Sequence, residues 1–250
     1  MKPAPFEYHA PASVSEAVSL LAALEDAKVL AGGQSLIPLL NFRLARPAHL
    51  VDINLLTELE RIYERDGGLA IGAVVRQADA ENHPLAASLC PLLPLALKLV
   101  AHPVIRNRGT VCGSLAHADP ASELCATLLA LDGSVVARSQ RGEREIPAGE
   151  FFRGPMDSAL EPDELLTEAW FPASAGPVAI AEEARRHGDF AMAGAVRAGG
   201  RLALFGVAMR PVLADPADPT RGLQPSADAE CSPEFRLHLV REMVARVMSR

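Results

Sequence analysis

No two cysteines of this 250-residue chain stand in Cys-x-x-Cys spacing; Cys90, Cys112, Cys125 and Cys231 are scattered singly. That argues against an iron–sulfur cluster or zinc site held by this chain, and against a dense disulfide framework. Positive charge is also scarce: 24 Lys and Arg face 31 Asp and Glu, a formal net charge of −7. A broad electrostatic footprint for nucleic acid is therefore not expected. The opening Met-Lys-Pro-Ala-Pro-Phe-Glu-Tyr lacks the apolar stretch of a signal peptide. No apolar run reaches membrane-spanning length, which leaves at most peripheral membrane contact and a cytoplasmic location as the expectation. Three motifs are missing as well: Gly-x-Gly-x-x-Gly, a Walker loop and a Gly-x-Ser-x-Gly elbow. Rossmann, P-loop and α/β-hydrolase chemistry lose their usual signatures with them.

What is present is a chain with 49% apolar residues, enough for one large domain or two to three smaller ones. Ser13 and Glu16 form a capping box ahead of a helix whose apolar face is Ala17, Val18, Leu20, Leu21 and Leu24. Lys28–Leu30 and Leu50–Ile53 read as strands, and the segments flanking Asp66-Gly67-Gly68 as a hairpin. A helix is expected over Leu92–Val100, closed by His102-Pro103. Asp119 and Pro120 read as cap and first position of a helix carrying Leu124, Leu128 and Leu131, stopped by Asp132-Gly133. A hairpin turning at Gly142, strands over Leu165–Phe171 and Arg201–Ala208, and a Pro/Asp-rich loop over 211–225 follow. A terminal helix begins at Ser232-Pro233, with Phe235, Leu239, Met243 and Val247 on one face. Strands and helices mix without a βαβ rhythm, so the expected class is α+β.

Two glycine–hydroxyl segments draw attention. Ala31-Gly32-Gly33-Gln34-Ser35-Leu36 follows a strand, and Gly109-Thr110-Val111-Cys112-Gly113-Ser114 precedes a helix. Glycines let backbone approach a ligand, and oriented N–H groups supply positive potential without a lysine, so the pair suits a phosphate-bearing cofactor. Tight turns are the plainer alternative for each loop, and sequence does not show that the two meet. Ser114, His117 and Asp119 are too close in sequence, with no elbow, to read as a hydrolase triad. His117-Ala118-Asp119 is a weak metal pattern beside a hydrogen-bonding role. Arg106 and Arg108 suit a phosphate, a partner or a solvated face; Arg185–Asp189 suits a turn or an interface; Trp170 reads as core.

Together with Phe6-Glu-Tyr-His, Leu50-Val-Asp-Ile-Asn, Phe151-Phe-Arg-Gly, Pro162-Asp-Glu-Leu-Leu-Thr-Glu and Arg185-Arg-His-Gly-Asp-Phe-Ala, the loops resemble the FAD-binding medium subunits of molybdenum hydroxylases, the family of aerobic carbon monoxide dehydrogenase and xanthine dehydrogenase flavin subunits. The resemblance implies a two-subdomain FAD-binding fold of the vanillyl-alcohol-oxidase type with a small C-terminal α+β domain, divided as 1–58, 59–175 and 176–250. It implies FAD held by Ala31, Gly32, Gly33, Gln34, Ser35, Leu36, Gly109, Thr110, Val111, Cys112, Gly113 and Ser114. His117, Ser122 and Glu123 would lie near the flavin and its ribityl chain, and Leu165 or Leu166 near the ring or adenine. It further implies an electron-relay role without catalytic acid/base residues of its own. The partners would be a small subunit with [2Fe-2S] clusters and a large subunit with molybdopterin-bound molybdenum, in a dimer of heterotrimers. Three departures from the family pattern stand out. Cys112 replaces a glycine and is expected to add a side chain beside the diphosphate; Glu123 replaces an aspartate; and Val196–Arg201 is short, implying a trimmed C-terminal domain. A subunit of the same kind that carries no FAD and serves assembly is the alternative, separated by a flavin absorption spectrum.

Overall fold

The apolar runs assemble into three main sheets in a computed structural model that describes residues 1–229 and 231–250. Glu7–His9, His49–Asp52 and Ala27–Leu30 form a small parallel sheet with His49–Asp52 at its centre. Its inward face packs under the helix Val14–Ala23, which buries Val14, Ala17, Val18 and Leu21. Ser13 accepts from Glu16 N at 3.1 Å, while Glu16 reaches back to Ala12 N at 2.8 Å, one residue short of the reciprocal box.

An antiparallel five-stranded sheet comes next, in the order Ile62–Arg65, Gly68–Gly72, Leu165–Pro172, Ser134–Ser139, Gly142–Pro147. Asp66 and Gly67 take left-handed conformations (φ 50° and 69°) at the first hairpin, as the Asp-Gly signal requires. Over this sheet lies a helical layer whose centre, Glu123–Leu131, is buried along its whole length. Ser122, not Asp119, caps that helix: its side chain accepts from Cys125 N, while Asp119 accepts from Ala121 N at 2.8 Å and Pro120 lies in the turn. The reason is geometric. Helix Val111–His117 ends in left-handed Ala118, and the chain needs the intervening residues to reverse. The expected helix over Leu92–Val100 ends at Leu97.

The C-terminal part is a four-stranded antiparallel sheet, Val178–Glu183, Ala193–Ala198, Arg201–Phe205 and Val212–Leu213, covered by Pro233–Met248. The first two strands escape the sequence reading, and the third stops at Phe205 rather than Ala208. Ser232 caps the long helix as expected, but its buried face is Leu239, Val240, Met243, Val244 and Val247, with Phe235 48% exposed. Arg236 takes the inward position instead, donating to Met192 O and Gly206 O and pairing with Asp228. The fold is thus α+β, with the parallel and five-stranded sheets sharing one apolar core and the C-terminal sheet and helix contributing a second.

Candidate functional site

The two glycine loops touch backbone to backbone. Gly32 is buried, and a Cβ there would lie 2.4 Å from Arg108 O and 2.7 Å from Gly109 Cα, closer than side-chain carbons ever come. Glycine at 32 is therefore a condition of the contact itself. Gly33 has φ +73°, which turns the chain from strand Ala27–Leu30 into helix Leu36–Asn41. Gln34 Nε2 donates to Gly32 O at 3.2 Å and steadies the turn. Among the described residues the backbone N–H groups of Gly33, Gln34 and Ser35 have no acceptor within the chain. Such donors suit an anion.

On the other side, Thr110 caps Val111–His117, its hydroxyl accepting from Gly113 N at 3.0 Å. The expected loop is thus helical from Val111. A Cβ on Gly113 would crowd that hydroxyl at 2.5 Å and lie 3.9 Å from Ala31 Cβ, so Gly113 faces the first loop. Gly109 is gripped from beneath, its carbonyl accepting from Gln77 N at 2.8 Å. Two residues outside the loops brace the pair: Arg76, which the sequence did not single out, and Asn54, the end of the Leu50-Val-Asp-Ile-Asn stretch, whose role it did not show. Arg76 donates to Arg108 O at 2.8 Å and to Asn54 Oδ1 at 2.7 Å. Asn54 Nδ2 in turn donates to Ala31 O at 2.8 Å. One chain of side-chain bonds thus runs from loop to loop. Burial, and then repulsion from Arg108, lower the Arg76 pKa from its ordinary value, but a guanidinium remains charged.

Cys112 does not stand beside the other loop. Its thiol points into the core toward Ile71 O at 3.4 Å, and burial holds its pKa far above the ordinary thiol value. In a helix starting at Val111, positions 111, 112 and 115 share the inward face and 113 and 114 the outward one. The expectation of a side chain crowding the cradle is corrected on that ground.

Beyond the loops, the Ser114 and Ser122 hydroxyls lie 3.4 Å apart, and His117 ends the short helix. Burial lowers the His117 pKa, with Lys28 reinforcing and Asp119 opposing, so the imidazole is neutral at pH 7. Burial, then the Glu182 carboxylate, pushes Glu123 up to about 8, and burial pushes Glu182 to about 7. Hydroxyl and imidazole groups thus stand together beyond the second loop, with Lys28 and Asp119 the charges that act on His117. Leu165 and Leu166 are buried in the core, pairing with Arg138 and Ala137.

Ser114, His117 and Asp119 make no hydrogen bonds to one another among the described residues; Ser114 Oγ meets Ser122 and Asp119 serves its own turn. Arg106 is neither a phosphate contact nor a solvated charge. It is 8% exposed, pairs with Glu81 at 2.8 Å and donates to Val100 O and Ala101 O. Residues 184–192 connect two strands, and Gly188 lies against His102 there: a Cβ on it would meet the imidazole at 2.6 Å. Trp170 is half-buried on its strand, its indole N–H donating to Arg65 O at 2.8 Å.

The family described as the FAD binding domain in molybdopterin dehydrogenase matches residues 4–174. Caffeine dehydrogenase subunit beta of Pseudomonas sp. (strain CBB1) is 45% identical over 78% of this chain and 68% of its own length. The 6-hydroxypseudooxynicotine dehydrogenase complex subunit alpha of Paenarthrobacter nicotinovorans is 39% identical over the whole of this chain and 95% of that protein. A chain of carbon monoxide dehydrogenase from Hydrogenophaga pseudoflava, in a structure lacking the Mo-pyranopterin moiety, superposes with a TM-score of 0.94 at 35% identity, covering 100% of this chain and 98% of that one.

Proposed function

This chain belongs to the FAD-binding medium-subunit family of molybdenum hydroxylases, and from that premise we propose that it is the FAD-carrying electron-transfer subunit of a heteromeric complex. It takes electrons from [2Fe-2S] clusters of a small partner subunit and passes them to an external acceptor. A large partner subunit with molybdopterin-bound molybdenum oxidises the substrate, the whole forming a cytoplasmic dimer of heterotrimers. The observation that carries this reading is the backbone contact between the loops at Gly32 and Gly109, with donors on the first loop left open beside it.

In this reading Ala31–Leu36 and Gly109–Ser114 hold the diphosphate, the first through the N–H groups of Gly33, Gln34 and Ser35. Arg76 and Asn54 are positioning residues that hold the loops at this spacing. Neutral His117, Ser122 and protonated Glu123 offer hydrogen bonds to the uncharged flavin and ribityl groups, and Leu165 or Leu166 backs the site from the core. When bound, FAD accepts electrons singly and releases them as a pair, which suits a junction between one-electron clusters and a two-electron acceptor. The four cysteines are free, buried and dispersed, in keeping with clusters held by a partner. We place the divisions at 1–58, 59–175 and 176–250, one main sheet to each part. The inward thiol of Cys112 removes the motive for a subunit without FAD.

Acid denaturation of freshly prepared complex should release free FAD. In stopped flow, substrate should bleach clusters and flavin together in the complex, while the isolated chain responds only to a chemical reductant. Substrate-driven flavin reduction in the isolated chain would overturn the relay.

A further inference from the structure

Away from the glycine loops, at the edge of the parallel sheet, three metal-ligating side chains converge. Glu7 lies directly opposite His49 in the parallel register, and His9, two residues along the same strand, shares the face of Glu7. His9 Nε2 and His49 Nδ1 are 3.2 Å apart, and His49 Nδ1 and Glu7 Oε2 are 3.5 Å apart. All three ligand atoms lie within 4.8 Å of one another. From this we propose that Glu7, His9 and His49 bind a divalent transition-metal ion of the zinc type, bridging the first strand to the central one.

Distance is the first argument. Two nitrogens bound at about 2.0–2.1 Å in a tetrahedral site are separated by roughly 3.4 Å. Two of the three ligand–ligand edges therefore already have the spacing a zinc ion imposes. Only the Glu7–His9 edge must close, and the Glu7 carboxylate, 75% exposed, is free to swing. The second argument is preorganisation. Tyr8, pointing to the opposite face, donates to Asp52 Oδ2 at 2.7 Å and pins the first strand in register without help from a metal. The strand itself is held by only three paired residues, so a metal bridge would add appreciably to its anchoring. The third argument is chemical. A donor set of two imidazoles and one carboxylate suits zinc and its late first-row neighbours rather than calcium or magnesium, which take oxygen. Without a metal, a hydrogen bond between the two ring nitrogens holds this approach, with the rings tilted at 49° and centroids 5.3 Å apart; an ion would replace that shared proton. A fourth position remains for water or a partner's side chain.

The test uses the full chain without an affinity tag. Zn²⁺ is titrated against a chromophoric chelator, with Co²⁺ as the spectroscopic probe of geometry. One equivalent is expected in the parent, with a metal-dependent rise in Tm. His9→Ala and His49→Ala should each weaken binding by at least about ten- to a hundredfold, the range already seen for losing an outer-sphere partner. Glu7→Gln, on an exposed side chain that cannot disturb the fold, should weaken it by a smaller factor. His49→Cys, which restores a ligand, should recover it. Far-UV circular dichroism and FAD content verify that each variant is folded. No saturable binding in the parent, or binding unchanged in the His9→Ala/His49→Ala double variant, overturns the proposal.

Discussion

The two glycine loops each carry two glycines and a serine, yet their glycines answer to different demands. In the first loop, Gly32 is dictated by another segment of backbone and Gly33 by a left-handed φ. In the second, Gly109 is confined by the Gln77 side chain, and Gly113 is limited only by a threonine hydroxyl that can rotate away. Glycines that look alike in a motif therefore differ in how far they can be replaced. What decides is whether the obstructing atom belongs to backbone or to the end of a side chain. The same difference explains why a cysteine is accommodated in the second loop: that loop is already a helix, and position 112 faces the core.

The sharpest way to break the comparison is at Gly32. Gly32→Val must part the loops, because nothing at Arg108 O or Gly109 Cα can rotate aside. FAD affinity, read by fluorescence titration of apoprotein, should fall by more than about a hundredfold, together with an overpacking loss of about 1–3 kcal/mol in stability. Gly113→Ala should cost far less, about 1 kcal/mol, the worth of the Thr110 cap it disturbs. Equal losses at the two positions would refute the distinction.

Next in size is the brace. Arg76→Ala leaves Arg108 O and Asn54 Oδ1 without their charged donor. A loss of about 1.5–3 kcal/mol is expected for charge-assisted hydrogen bonds, or about ten- to a hundredfold in FAD affinity if all of it falls on the bound state. Arg76→Lys keeps the charge but not the fork, so it should recover only part of the loss. Full recovery would mean that charge alone matters and that the loops need no bracing.

The second loop also leads to titratable groups that the first lacks. Glu123 and Glu182 have folded pKa values of about 8 and about 7, raised from the ordinary carboxylate value of 4.5, mainly by burial. Between those limits the folded chain holds more protons than the unfolded one. Their contribution to stability is therefore complete below pH 4.5 and is lost as pH rises through about 7 to 8. Tm should decline over that window by several degrees, at about 2–4 °C per kcal/mol for a chain of this size. Glu123→Gln, which stays neutral, should flatten the upper part of the decline. An unchanged slope in that variant would show that Glu123 is ionised when folded.

Much of the fold was legible because its signals are local. The Asp66-Gly67 hairpin and the Ser232-Pro233 helix start declare themselves within four residues. The strands Val178–Glu183 and Ala193–Ala198 did not, since alanine-rich segments have little strand preference and are held as strands by packing under the terminal helix. In the site, the two loops were legible as a pair but their contact was not. Arg76 lies outside every stretch that drew attention, and Asn54 only ends the Leu50-Val-Asp-Ile-Asn match; neither neighbourhood shows that the two side chains bond to the loops. Arg106 and Arg236 show the converse, charged residues whose sequence context suggests solvent but which the fold draws inside to serve carbonyls. One signal for the second loop was available. Thr110 three residues before Gly113, with Val111, Cys112 and Leu115 at helical spacing, already described a capped helix with Cys112 inward.

That reading leads to the smallest expected effect on binding. Cys112→Ala removes a fully buried thiol and its contact with Ile71 O, leaving a small void beneath the second loop. Large-to-small changes in such a place cost the lost transfer energy and a cavity term, here about 1–2 kcal/mol of stability. The outward face of the helix, carrying Gly113 and Ser114, is untouched, as is the Thr110 cap. FAD affinity should therefore stay within about twofold of the parent while Tm falls. Cys112→Gly should weaken stability further, by about another 1 kcal/mol, because it adds backbone freedom inside a helix; it too should leave the bound cofactor in place. Had the cysteine crowded the cradle, both substitutions would tighten binding. A clear gain in FAD affinity from either one would place the thiol between the loops and reverse the contrast drawn between them.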